Sequence, residues 1–528
     1  MGKWLDDIKM LLGLAASPPL KVLDFGQIER LHLTRASDCE QIIDDQTWHD
    51  LDMADRFADM DDAVSPLGQQ MQYHTLRSAP QARQAGWLPI IRSMQADRSA
   101  HQIIRTLLKP LASDAAFAMP AFLRDFRGQS VPSTSRIAIH AILPLLCLAG
   151  LTLSSWFAPL LLISLVANFM LSKVYERRIR IDFRRLGYLN TMATVASRLN
   201  RSAALKRLPA LFDACALNQA MPSPDIRVSV LTYDLGASDT QFNPVGMLIT
   251  YANHFFLLNI LQYTSFARRV DRERSQYISL MDALARVDML QGLVAYVDRF
   301  DSLCAPEMND VDEVLTLEEA YHPALANPVP NDIRLKRCVA VLTGANMAGK
   351  STLMRVIALN ALLAQSLGFC HARRARLPLL VVRTSLSLRD SIQDGASYFH
   401  NEARRMREML ARIESGERAL YLIDEPFKGT NRPERLAALI ALGKWLHGKG
   451  IVILATHDTE LCGHLPDAMP LQLTSSIHAD GELRYDYLLK PGVSDDRYAL
   501  HVMSCLGFPA EIIQQAKSHL DVDTAIAT

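Results

Sequence analysis

Charged residues recur every few positions along most of the chain, but from Ile137 to Ser172 there is no Asp, Glu, Lys or Arg. One membrane-spanning helix needs about 20 residues, and about 17 at the shortest. The run is too long for one span and just long enough for two. The polar pair Ser154-Ser155 near its middle predicts a helical hairpin, Ile137–Leu153 and Trp156–Ser172. Arg124, Arg127 and Arg136 precede it; Lys173, Arg177, Arg178 and Arg180 follow. Positive charge on both flanks favours both ends on the cytoplasmic side, which an even number of spans satisfies. Trp156 and Phe157 at the turn suit the far interface. A buried hairpin in a large soluble core is the competing reading, disfavoured because soluble cores rarely keep so long an uncharged run.

Three shorter apolar runs have a different character. They are 338-CVAVLTG-344, 419-ALYLIDE-425 and 451-IVILATHD-458, each continuous and ending in polar groups. Unbroken runs of this length predict strands buried on both faces, as in a parallel sheet covered by helices.

The first run leads into Gly344-Ala345-Asn346-Met347-Ala348-Gly349-Lys350-Ser351-Thr352, which fits G-x-x-x-x-G-K-[ST]. The glycines let backbone N–H groups curl around phosphates, Lys350 neutralises the β/γ oxygens, and the Ser351 hydroxyl is placed for Mg²⁺. A helix opening at this point directs its positive end at the same charge. The second run ends in Asp424, a metal-serving carboxylate, and Glu425, a base for the attacking water. The third ends in His457, placed to hydrogen-bond a γ-phosphate. Together the three predict hydrolysis of ATP with Mg²⁺, giving ADP and phosphate, by positioning, charge neutralisation and one activated water.

Composition narrows the partners. The chain has 528 residues, with 56 basic and 56 acidic side chains. That balance gives no global polyanion-binding signature, so any nucleic-acid contact must come from local basic faces. The eight cysteines include no C-x-x-C pair, so neither a zinc site nor a redox motif of that kind is expected; reduced thiols are. Asp6 and Asp7 stand where a signal peptide would be apolar, and no cleaved targeting segment is expected.

The residues resemble the MutS family of DNA mismatch repair ATPases. TGANMAGKST, with Asn346 and Met347, is similar to the family's phosphate loop, and 424-DEPFKGTN-431 and 455-ATHDTEL-461 resemble its later motifs. The segment 394-DGASYFHNEARRM-406 resembles a second signature that reaches the nucleotide of a partner subunit in the family. The resemblance thereby implies trans roles for Ser397, Phe399 and Glu402, and a homodimer with nucleotide at the interface. More loosely, residues 46–80 resemble the start of the family's helical core, 276–300 its returning helix, and 494–520 a C-terminal dimerising element. Nothing before residue 40 is long enough for the family's mismatch-reading domain, and no Phe-x-Glu wedge is found near the N-terminus. The phosphate loop carries Ala345 for Pro and Ala348 for Gly, and Pro426 follows the base.

The expected architecture is an α/β P-loop ATPase domain with a mostly parallel sheet at 318–528. It is preceded by an all-α lever or core region, 1–135 and 174–317, with the two-helix transmembrane hairpin at 136–173. Both soluble regions would face the cytoplasm from the inner membrane. Two functional readings stay open. One is a membrane-tethered MutS-like ATPase, related to mismatch repair but lacking the mismatch-reading domain, that clamps or senses double-stranded DNA. The other is a membrane ATPase whose dimer closure acts on a protein or lipid partner. Arg184 and Arg185 extend the cluster after the hairpin, best explained by headgroup contact; Arg268, Arg269, Arg272 and Arg274 are interleaved with acids; Arg373, Arg374 and Arg376 fall within the ATPase region. A transporter is disfavoured, since two spans carry no ionisable group beyond His140 and Cys147.

Overall fold

The three continuous apolar runs form the centre of one sheet. The computed structural model describes residues 23–37, 39, 42–78, 86–126, 133–217, 251–309, 313–345, 347–386, 398–477, 483–494, 499–516 and 518. Its principal elements are helices α1 (Asp45–Asp50), α2 (Pro66–Arg77), α3 (Arg98–Leu108), α4 (Thr134–Gly150), α5 (Phe157–Arg201), α6 (Leu258–Arg272) and α7 (Arg274–Val297). There follow strands β1 (Glu307–Met308), β2 (Leu315–Ala320), β3 (Asn331–Leu335) and β4 (Val339–Thr343), then α8 (Lys350–Ser366), β5 (Arg374–Leu377) and β6 (Val381–Ser385). The remainder are α9 (Tyr398–Glu414), β7 (Ala419–Asp424), α10 (Arg432–Leu446), β8 (Ile451–Ala455), β9 (Met469–Ile477), β10 (Leu483–Pro491) and α11 (Ala499–Cys505). This is an all-α N-terminal region followed by an α/β region.

The chain divides into two compact units. One comprises 1–37, 60–74 and 90–296; the other 38–59, 75–89 and 297–528. The second unit thus takes in two early segments that the sequence pattern groups with the N-terminal helices.

In the second unit a six-stranded sheet runs in the order β10-β9-β4-β8-β7-β6. The pairs β4–β8, β4–β9, β6–β7 and β7–β8 are parallel, and only β9–β10 is antiparallel. Every residue of β4 and β8 is buried, as is β7 up to Ile423. That two-sided burial explains why these runs show no polar alternation. A smaller sheet, β1-β5-β2-β3, lies beside them in sequence. The early segment is tied to this unit by Asp50 at the end of α1. Its buried carboxylate accepts from Thr384 Oγ1 (2.8 Å) and the Leu386 amide (2.9 Å), while its backbone carbonyl accepts from Arg355 Nε (2.9 Å) on α8.

The first unit is helical. Asp288 on α7 is fully buried and caps the start of α2, accepting from the Val64 amide (2.9 Å), the Ser65 amide (2.7 Å) and Gln291 Nε2 (2.8 Å). The uncharged run forms α4 and the first part of α5, with Ser154-Ser155 between them. The boundaries differ from the expected hairpin. The first helix begins earlier, and the second continues without a break past Ser172 to Arg201, since nothing in 173–201 interrupts a helix. Only Phe157–Tyr175 is long and apolar enough to cross a membrane among the described residues; α4 is a shorter apolar helix of 17 residues. Asn168 on α5 donates to the carbonyls of His140 (2.8 Å) and Phe255 (2.7 Å), joining α4, α5 and the helical residues 251–256. Arg127 and the side chains of Arg177, Arg178, Arg180 and Arg184 lie outside the described residues.

Candidate nucleotide site

Register brings the site together. Leu342 on β4 pairs with Ala455 on β8, and Ala455 with Asp424 on β7. The carboxyl ends of three strands therefore finish level, and their loops deliver Gly344, Ala345, Met347–Thr352, Asp424–Glu425 and His457 to one edge of the sheet. This is where open α/β sheets place ligands.

The loop after β4 uses its glycines as the motif requires. Gly344 has φ +148° and a Cβ there would lie 2.6 Å from the Leu473 carbonyl oxygen. Gly349 has φ +92° and precedes the first residue of α8, a backbone shape that disfavours any side chain. Lys350 is buried, and its ammonium donates to the carbonyls of Gly344 (2.7 Å) and Ala345 (3.1 Å). Burial lowers its pKa, opposed by the charges of Glu425 and Asp424. Ala348 is buried, Met347 is exposed and Thr352 lies at the exposed start of α8. Asn346 lies outside the described residues.

The two carboxylates at the end of β7, Asp424 and Glu425, are shifted in opposite directions. Ser351 Oγ donates to Asp424 Oδ2 at 2.5 Å. Burial is the largest influence on Asp424 and raises its pKa, so this carboxylate is poorly compensated. Glu425 is held down at about 2, first by the hydrogen bond from His457 (Nδ1 to Oε1, 3.0 Å) and also by Lys428 (Nζ to Oε2, 2.8 Å). Because a carboxylate only accepts, His457 carries its proton on Nδ1 in this arrangement. Glu425 and Phe427 both have positive φ, 43° and 63°, on either side of Pro426. Such strain in residues with side chains concentrates at functional sites.

The residues fit ATP and Mg²⁺. A hydroxyl and an undercompensated carboxylate, Ser351 and Asp424, are hard oxygen donors suited to Mg²⁺. The ion would neutralise phosphate charge when bound.

The second signature is placed unevenly. Phe399 is exposed at the start of α9. Glu402 is 5% exposed, and its carboxylate faces the amides of Lys428 (3.2 Å) and Gly429 (3.5 Å) in the loop after Glu425. It thus supports the loop of its own chain. Ser397 lies outside the described residues.

Three features escape a reading along the sequence. Asp458 is buried and takes a two-pronged bond from Arg435 on α10 (2.8 and 3.1 Å), fixing the loop that carries His457. Asp50 reaches the site's scaffold from far upstream. Tyr487, on the irregular part of β10, has its ring against Gly349 (3.2 Å from an ideal Cβ) and is 45% exposed. No local motif marks Tyr487; only the pairing of β9 beside β4 brings it to the phosphate loop.

Residues 340–522 match the family model described as MutS domain V. The DNA mismatch repair protein MutS of Desulfovibrio desulfuricans is 32% identical over 281 residues, covering 49% of this chain and 30% of that protein. The protein of the same name from Chloroflexus aurantiacus is 31% identical over 280 residues, 48% of this chain and 29% of its own length. That of Geobacillus kaustophilus is 30% identical over 280 residues, 49% and 30% respectively. The matched part thus spans about a third of these curated relatives. Residues 340–522, with the phosphate loop at the end of β4 and the carboxylates at the end of β7, are similar to domain V of the MutS family, an ABC-like ATPase domain.

Proposed function

We propose that the chain is a MutS-like ATPase that is tethered to a membrane and contacts duplex DNA. The observation that carries the ATPase reading is the level finish of β4, β7 and β8, which gathers Lys350, Ser351, Asp424, Glu425 and His457. Lys350 leaves its two carbonyl partners for the β/γ phosphate oxygens. Ser351 and Asp424 hold Mg²⁺. Glu425 orients and deprotonates the attacking water once His457 turns to the γ-phosphate. Tyr487, beside Gly349, offers a ring for the nucleotide base. A homodimer with nucleotide at its interface, and Ser397 and Phe399 reaching across it, extends the family resemblance.

Membrane tethering is supported by the surface of α4 and α5. Leu153 and Trp156 at the turn are 84% and 80% exposed, and Ile139, Leu146, Leu162, Ile163 and Met170 are also exposed. A patch of this kind in water is a liability, whereas lipid covers it without cost. A further uncharged stretch, Thr240–Ala267, supplies the helical residues 251–256 whose Phe255 carbonyl is satisfied by Asn168. Polar side chains that join apolar helices in this way suit a bilayer, where no water is available. Both soluble regions would then face the cytoplasm.

The DNA reading is supported by the names of the relatives, while the neutral charge balance favours a protein or lipid partner. The deciding experiment is ATP turnover by detergent-solubilised protein with homoduplex, mismatched duplex or no DNA, across a salt series. Stimulation that falls steeply with salt is expected. No response to DNA would transfer the dimer's action to a protein or lipid partner, and a mismatch preference would extend the DNA contact to the reading of mismatches. Recovery of the protein in the soluble fraction without detergent would overturn the tether.

A further inference from the structure

The second unit holds a pair of cysteines from distant parts of the chain. Cys304 follows α7 by a few residues, and Cys370 lies in the turn between α8 and β5. The two form an isolated antiparallel bridge and exchange both backbone hydrogen bonds, Cys304 N to Cys370 O at 3.1 Å and Cys370 N to Cys304 O at 2.9 Å. Residues paired in this manner have Cα atoms about 5.5 Å apart with side chains on one face, inside the span that a disulfide bridges. The surroundings keep the pair in place. The Tyr321 amide donates to His371 O (3.0 Å), and Phe300 packs edge-on against the His371 ring at 4.7 Å. Cys370 is fully buried, whereas Cys304 is partly exposed.

We propose that Cys304 and Cys370 are a modification site, forming a reversible disulfide with a small-molecule disulfide such as oxidised glutathione as the oxidant. The Cys304 thiolate attacks one sulfur of the oxidant, the oxidant's S–S bond breaks, and one glutathione thiolate leaves. The Cys370 thiol then loses its proton and attacks the Cys304 sulfur of the mixed disulfide, releasing the second glutathione. The two protons end on the two glutathione thiols, and the two electrons lost by the protein reduce the oxidant. Burial, followed by the hydrogen bond and charge of Cys304, holds the Cys370 thiol well above its ordinary range, which makes it the slow, resolving partner. Cys304 is the entry point.

The register also sets the character of the bond. In a hydrogen-bonded antiparallel pair the side chains stand farther apart than in the alternate pair. That spacing nonetheless lies within the span of an ordinary disulfide, and because Cys304 is partly exposed the bond is open to attack by thiols, exposed disulfides being among the more easily reduced ones. Cellular thiols would reopen it, so the reduced state expected in a reducing compartment and this site are compatible.

Oxidation bears on the phosphate-loop helix. The Cys370 thiol donates to the Asn360 carbonyl of α8 at 3.6 Å, and the next amide, of His371, donates to Asn360 Oδ1 at 2.7 Å. The disulfide removes the first of these bonds and shifts the turn that holds the second.

The test uses the full chain in detergent. The reduced protein is exposed to oxidised glutathione, its remaining thiols are alkylated under acid denaturing conditions, and peptides are mapped by mass without reduction. Expected is a Cys304–Cys370 linked peptide two hydrogens lighter than the sum, a loss of two of the eight thiols, and full reversal by dithiothreitol. Cys304→Ser should abolish the link and leave Cys370 alkylated after denaturation. Cys370→Ser should leave Cys304 carrying glutathione. Cys338, Cys462 and Cys505 serve as internal controls. The proposal fails if Cys304 retains glutathione in the unmodified chain without passing it on. It also fails if the link arises only after the protein has been unfolded, or if linked peptides join other cysteines as readily.

Discussion

His457 Nδ1 lies 3.0 Å from Glu425 Oε1, and Lys428 Nζ lies 2.8 Å from Oε2 of the same carboxylate. Both oxygens of the proposed base are therefore engaged, and the group is held at about 2. Such a carboxylate remains ionised throughout the physiological range but is a weak proton acceptor until one partner turns away.

Replacing Glu425 by Gln keeps the shape of the loop and removes the base. ATP binding should persist while turnover falls by about 100-fold or more. Turnover at the parental rate would show that the water is activated by another group. His457→Ala should lower turnover with less effect on nucleotide affinity, read by separate binding and single-turnover measurements.

Lys350→Ala removes the cation that donates to the Gly344 and Ala345 carbonyls. Nucleotide affinity should fall below detection with a fluorescent ATP analogue. Asp424→Asn should spare binding without metal and abolish the gain that Mg²⁺ brings, since Ser351 then faces an amide in place of a carboxylate. Equal affinities with and without Mg²⁺ in the parent chain would contradict the metal assignment.

Asp50→Ala leaves the Leu386 amide and the Thr384 hydroxyl without their buried acceptor. Loss of about 3 kcal/mol is expected, from one or two stranded polar groups at 1–3 kcal/mol each. Thermal unfolding followed by nucleotide-analogue release should show a lowered midpoint. An unchanged midpoint would mean that the early segment is not part of this unit's cooperative structure.

Asp288→Ala removes the acceptor of three hydrogen bonds from the start of α2, donated by Val64 and Ser65 (twice), and of a fourth from Gln291 on α7 itself. The helical unit should lose about 2–4 kcal/mol, combining a lost cap with unsatisfied buried donors. Hydrogen exchange of the Ser65 and Val64 amides is the local readout, and protection retained in the variant would exclude the capping role.

Acid should weaken the second unit through two histidines. Burial chiefly lowers His322 to about 4 and His371 to about 3, helped in His322 by Arg56 and Arg355 and in His371 by His322 and Arg299. The unfolded chain titrates near 6.5, so below that value it binds more protons than the folded chain. Stability is full above about 6.5 and falls as pH drops toward 4 and then 3. His371→Phe should flatten the dependence of the unfolding midpoint on pH between 6.5 and 4.5. A slope identical to the parent's would assign the effect to other groups.

The sequence by itself determined the class of sheet and the residues that stand at its strand ends. Val339–Thr343, Ala419–Ile423 and Ile451–Ala455 are buried on both faces, and such strands are largely apolar whatever surrounds them. The phosphate loop is equally local, because its glycine conformations and the helix that follows are set within ten residues. The uncharged run and its break at Ser154-Ser155 were legible for the same reason, but its second helix runs on to Arg201 because charge does not end a helix. What only the tertiary structure decided depends on pairing across long separations. The register of β9 beside β4 brings Tyr487 to Gly349, and the packing of α9 turns Glu402 onto the amides of Lys428 and Gly429. Asp50 joins β6 across more than three hundred residues, and Cys304 meets Cys370 through two backbone hydrogen bonds. Each of these contacts is made by a residue type common in any chain, so nothing in its immediate neighbours distinguishes it. The partner is selected only when burial of the apolar strands fixes which distant backbones lie side by side.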